Sequence, residues 1–211
     1  MKFKLLFSYR FLLFILSVLG VYLQLTKHGG FGMMLYYTIL SNMLVMFFMG
    51  DMVWRMLRDR STQTQGYLRM KGAVTMSIMI TCVIYHFMLA PLATPEKFYR
   101  LENFLCHYIV PLMFFFDTLV IDKAKQYRRL DPFLWTLIPL AYMLFALLNG
   151  LVLKWPIPGA KDSPFAYFFI NVNKYGWAFV GKWVVIIFIA YLLAGYVLYG
   201  IKIIKRKSAV S

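Results

Sequence analysis

The chain has 211 residues, 62% of them hydrophobic and 19% aromatic, with a positive mean hydropathy and a formal net charge of +15. That balance excludes a soluble domain of ordinary composition and points to an integral membrane protein. The positive charge would suggest nucleic acid in a soluble chain, but here Lys and Arg fall in short runs between apolar segments, as topology signals do, so no nucleic-acid partner is expected.

Met1 to Arg10 is basic, and an apolar run follows to about Leu25 with no small-x-small cleavage site closing it, so the first segment is expected to remain as a helix. Apolar runs long enough to span about 30 Å of hydrocarbon recur six times, roughly at 7–25, 32–54, 72–92, 103–121, 133–153 and 176–201. Sixteen Lys and Arg fall on one side of these spans: Lys2, Lys4, Arg10, five in 55–71, four in 122–132, and Lys202, Lys205, Arg206 and Lys207. Seven fall on the other: Lys27, Lys97, Arg100, Lys154, Lys161, Lys174 and Lys182. The asymmetry predicts an all-α, six-transmembrane-helix bundle in the cell membrane, a single domain over 1–211 with N and C termini cytoplasmic. Cys82 and Cys106 both lie in apolar segments and form no disulfide framework or zinc knuckle. The longest exterior connection, Lys154 to Tyr175, combines Trp155, Pro156, Pro158, Gly159 and Pro164 with Phe165, Tyr167, Phe168 and Phe169, which predicts a segment lying at the interface or folding back as a lid.

In the second segment, Thr38 and Asn42 stand four residues apart and share a helical face with Ser41 beside them. An unpartnered amide in hydrocarbon costs several kcal/mol, so that face is expected to look into the bundle. The topology puts Thr38 about six residues, or roughly 9 Å, below the outer boundary. His86, Asn103, His107 and Asn149 then fall in the same outer-leaflet layer, although they come from three further helices. Each has a plainer role available: Thr38 as a hydroxyl bonded to the carbonyl one turn back, Asn42 as an interhelical clamp, and His86 as an interface anchor beside Tyr85. His107 shares a stripe with Asn103 and Pro111 at i−4 and i+4. Asp117 and Asp122 are expected to pair with Lys123 or Lys125, and Asp51 with Arg55.

A Thr hydroxyl and a neutral imidazole at one depth are the minimum parts of an acyl-transfer site, the hydroxyl as nucleophile and the imidazole taking its proton. Asn42 or Asn149 could donate to the developing oxyanion or orient the histidine. The imidazole must be neutral at rest, so activity is expected to fall in acid. A lipid ester would enter sideways from the outer leaflet, with no cofactor. Two other classes remain open from the residues alone: a haem or metal site built on His86 and His107, and a small transporter, for which the chain shows no inverted repeat. A non-catalytic lipid-binding protein is the third alternative.

Taken together, Tyr36-Tyr37-Thr38-Ile39-Leu40-Ser41-Asn42, Val83-Ile84-Tyr85-His86-Phe87-Met88-Leu89-Ala90-Pro91, and His107-Tyr108-Ile109-Val110-Pro111 followed by Asp117 resemble the signatures of bacterial six-span membrane proteins related to the androgen-induced protein family. The stretch Pro164-Phe165 to Val172 and Gly176 are similar to that group's aromatic exterior loop and the opening of its last helix. The resemblance implies a hydrolase of fatty acid esters with Thr38 as nucleophile and His107 as its partner. It also makes His86 a candidate for a supporting role, and the shared layer itself offers Asn42, Asn103 and Asn149 as further supporting or substrate-binding residues. Where relatives commonly carry an arginine before the glycine closing helix 5, this chain has Asn149 before Gly150, so no charged anchor for a substrate carboxylate stands there. The relatives' compact Tyr-Pro-Tyr-Pro-Phe pattern is loosened to Ser163-Pro164-Phe165-Ala166-Tyr167-Phe168-Phe169.

Overall fold

A computed structural model describes residues 3–160 and 163–204; Lys2, Lys161, Lys205, Arg206 and Lys207 of the charge count lie outside the described residues. Among the described residues, six helices are long and apolar enough to cross a membrane: α1 Phe3–His28, α2 Tyr37–Leu57, α3 Gln65–Leu92, α4 Leu101–Ile121, α5 Asp131–Leu153 and α6 Val172–Ile203. The shortest of them has 21 residues, about 31 Å of rise, enough for the hydrocarbon thickness. The architecture is that of an all-α, multi-pass membrane protein. The end formed by connections 29–36, 93–100 and 154–171 is termed the upper end below, and the opposite end the lower.

Helix α2 starts at Tyr37, five residues later than its apolar run predicts. Gly29 (φ 136°) and Gly30 (φ 62°) turn the chain into a 3₁₀ segment over Gly30–Leu35, and Tyr36 is extended. A Cβ at Gly29 or Gly32 would meet Pro158 at 2.5 and 2.8 Å, so glycine there lets the long connection close onto this turn. Tyr36 Oη completes the contact by donating to the Pro158 carbonyl at 2.6 Å. Thr38 is therefore the second residue of α2 rather than one six residues deep.

The core of the bundle joins α1 to α4 through Leu13, Val45, Met49, Ile78, Val110 and Phe114, all completely buried. At the upper end a second cluster packs Phe165, Tyr167, Phe169 and Ile170 of the long connection against Tyr37, Ala146 and Val180. The connection is folded into the mouth of the bundle and is not a free loop. Asn149 holds it there: Nδ2 donates to the Trp155 and Pro164 carbonyls at 3.3 and 3.2 Å, and Oδ1 accepts from Trp155 N at 3.1 Å. A Cβ at Gly150 would stand 2.1 Å from the Phe165 ring, itself 2% exposed. Gly150→Ala is expected to cost about 1–3 kcal/mol by overpacking and to loosen this connection, measured as a lower thermal midpoint together with faster proteolysis within 154–171.

The lower end differs from expectation. Asp117 and Asp122 do not pair with Lys123 or Lys125. Asp117 lies in a π-helical turn, Asp117–Ile121, and is completely buried between α1 and α3. Arg10 Nε and Nη2 donate to its two oxygens at 3.0 and 3.1 Å, and Lys71 Nζ bonds both Asp117 and, at 2.7 Å, Asp122. Arg10 and Lys71 count as loop-side topology charges in the sequence, but both point inward and are 1% and 0% exposed. An intramembrane charge needs a partner, and these four supply each other. Asp51 and Arg55 do form the i,i+4 pair, at 2.6 Å.

Candidate active site

His107 belongs to a π-helical turn, Leu105–Ile109, that lies just before Pro111 in α4. Proline has no N–H, and its ring crowds the carbonyl four residues back, which is that of His107, so the helix widens there. In the widened turn His107 Nδ1 lies 3.0 Å from the Asn103 carbonyl oxygen. That oxygen can only accept, so Nδ1 carries the hydrogen, and in the neutral ring Nε2 keeps its lone pair. Nε2 faces Thr38 Oγ1 at 3.3 Å. Tyr85 stacks on the imidazole, with ring centroids 3.8 Å apart and planes 22° from parallel, and holds its plane. Thr38 and His107 are 9% and 7% exposed, so the pair is shielded but reachable.

Sequence reasoning did not find the third group. Tyr167, from the long connection, places its hydroxyl 3.4 Å from Thr38 Oγ1 and accepts the Thr38 backbone N–H at 3.3 Å. Burial lifts the Tyr167 phenol above its ordinary value, so at neutral pH it keeps its proton and can donate. The sequence marks Tyr167 as part of an aromatic, proline-bearing segment. Nothing in the spacing says that this one ring passes Tyr36 and Tyr37 to reach the start of α2.

The remaining polar residues of the layer have other partners. Asn42 Nδ2 donates to the Thr38 carbonyl at 2.8 Å and the Cys106 carbonyl at 3.0 Å, which clamps α2 to α4 and leaves neither hydrogen for an oxyanion. Asn103 acts on His107 through its main chain, while its side chain donates to Tyr85 Oη at 2.6 Å and the Phe98 carbonyl at 2.8 Å. Asn149 anchors the long connection. His86 is exposed and bonds Tyr108 Oη through Nδ1 at 3.2 Å, so it does not join His107. Among the described residues, no group of three or more His, Cys, Asp or Glu could hold a metal ion.

Two spaces meet at Thr38. A cleft of about 290 Å³ is lined by Gln24, Met33, Tyr36 and His107. A narrower cavity of about 100 Å³ runs between α3, α5 and α6. Thr38, Tyr85, Leu89 and Tyr167 border both. The arrangement offers a hydroxyl, a base that can take its proton, a phenol that can donate to a developing negative charge, and a space on each side of the hydroxyl. No family model, curated protein or solved structure matches the chain.

Proposed function

We propose that the protein is a membrane hydrolase of lipid esters, with Thr38 as nucleophile and His107 as general base. One observation carries the reading: Thr38 Oγ1 stands 3.3 Å from an imidazole nitrogen whose opposite nitrogen is held by an accept-only carbonyl, so the lone pair faces the hydroxyl. As Oγ1 attacks the ester carbonyl, its proton passes to His107 Nε2, and Tyr167 Oη donates to the oxyanion. The intermediate collapses by breaking the bond to the alcohol oxygen, which takes the proton from His107. Water, deprotonated by the same imidazole, then releases the acid from the acyl-Thr38 ester.

The resemblance to androgen-induced-protein relatives supports the same pair, and the excess of Lys and Arg on the lower side favours cytoplasmic termini with the pair in the outer leaflet of the cell membrane. A fatty acid ester would reach Thr38 from the bilayer.

The purified protein in lipid nanodiscs, offered fluorogenic esters, tests the reading. Tyr167→Phe is expected to lower kcat about 10²-fold with little change in KM, since the donor acts on charge that develops after binding. A KM effect with unchanged kcat would remove Tyr167 from the chemistry.

A further inference from the structure

The cavity on the α5 and α6 side of Thr38 has a definite shape. Its lining runs from Leu89 down to Ile80 on α3, from Met143 to Thr136 on α5, and from Val184 to Tyr191 on α6. At 1.5 Å per residue those stretches cover roughly 10–13 Å along the helices. A volume of about 100 Å³ spread over that length makes the cavity elongated along the helix axes, with a length that matches an extended acyl chain of medium length.

The walls are also closed to polar ligands. Every hydroxyl along the shaft is bonded elsewhere: Tyr37 to Ser77 at 2.8 Å, Thr81 to Ser41 at 2.7 Å, and Thr136 to the Phe133 carbonyl at 2.7 Å. Tyr142 donates to the Leu35 carbonyl at 2.9 Å and Tyr191 to the Trp135 carbonyl at 3.1 Å. Lining residues of the described chain carry no charge. A polar group inside would lose its water without gaining a partner, whereas a methylene chain needs none.

We propose that this cavity is the acyl subsite, taking one unbranched chain of medium length whose carboxyl end lies at Thr38, with Phe188, Tyr191 and Thr136 as its floor. The alcohol half of the ester then occupies the cleft on the His107 side. The assignment of ends rests on the hydrolase reading; the occupancy of the cavity by a chain does not.

Two variants and two readouts test it. The first readout is the ratio of hydrolysis rates for dodecanoyl and butanoyl fluorogenic esters. Leu140→Trp, which fills the shaft, is expected to lower that ratio tenfold or more. Phe188→Ala, which deepens the floor, is expected to raise hexadecanoyl over dodecanoyl turnover severalfold, a gain that misfolding cannot produce. The second readout is dodecanol binding by native mass spectrometry in the Thr38→Ala background, where no ester is cleaved. Binding should persist in Thr38→Ala and vanish when Leu140→Trp is added. Unchanged chain-length ratios and unchanged dodecanol binding in both variants would overturn the subsite, even if esters are turned over. Dodecanol binding that Leu140→Trp abolishes, with no ester cleaved by the parent, would keep the chain site and remove the hydrolase reading.

Discussion

His107→Ala is expected to lower ester hydrolysis by on the order of 10³-fold or more, because the Thr38 hydroxyl is too weak an acid to attack a carbonyl without a base at 3.3 Å. Thr38→Ala should have an effect of the same size, and the double variant should be no worse than either single one, since the proposed pair would act as a unit. Steady-state rates on one ester, with the four proteins at equal folded concentration, give this comparison directly. Additive losses would mean that the two residues act separately, and the shared-proton mechanism would be wrong. Asn103→Ala is informative beside them. It keeps the carbonyl that fixes the His107 tautomer and removes only the amide that bonds Tyr85 and Phe98, so its loss should be much smaller than that of His107→Ala.

The largest effect on stability is expected at the lower end of the bundle. Asp117→Ala leaves Arg10 and Lys71 buried with a deficit of negative charge, which costs about 3–5 kcal/mol for a broken buried ion pair. The measurement is the shift in unfolding midpoint in detergent or nanodiscs. Lys71→Met combined with Asp117→Leu should recover a large part of that loss, because Arg10 still has Asp122, whose Oδ1 lies 3.7 Å from its guanidinium. A double variant as unstable as Asp117→Ala would show that packing around Asp117, and not its charge, holds the three helices together.

Much of the fold is legible in the sequence because hydrocarbon imposes one demand on every span: a run of apolar residues about 20 long with its main chain bonded internally. The ends are less so, for reasons that differ from helix to helix. Helix α3 begins at Gln65, seven residues before its apolar run, because its first two turns bury Lys71 against two aspartates instead of exposing it. Helix α2 begins late because the glycine turn at 29–32 takes the first part of its run for docking the long connection.

The site divides in the same way. Thr38 and His107 are recognisable from shared depth and motif spacing, both of which are properties of the helices themselves. Asn42 shows the limit of depth as evidence, since it is at the right level but its amide faces two carbonyls. His86 is one helix away at a similar level but lies on the outer face of α3, and a small uncertainty in helical phase near Pro91 hides that difference. Tyr167 could not be placed at all, because it arrives on an irregular segment whose path depends on Pro158 meeting Gly29 and Gly32 and on Asn149 holding two carbonyls.

In the proposed mechanism Thr38 becomes covalently acylated with His107 as its base. Reacting the purified protein with an alkyl fluorophosphonate and mapping the modified peptide by mass spectrometry tests it most directly. The expected result is a phosphonyl group on the Thr38 oxygen in the parent, formed on the order of 10³-fold more slowly in His107→Ala. A parent that cleaves esters while Thr38 stays unmodified, or label on another residue that persists in His107→Ala, would contradict it.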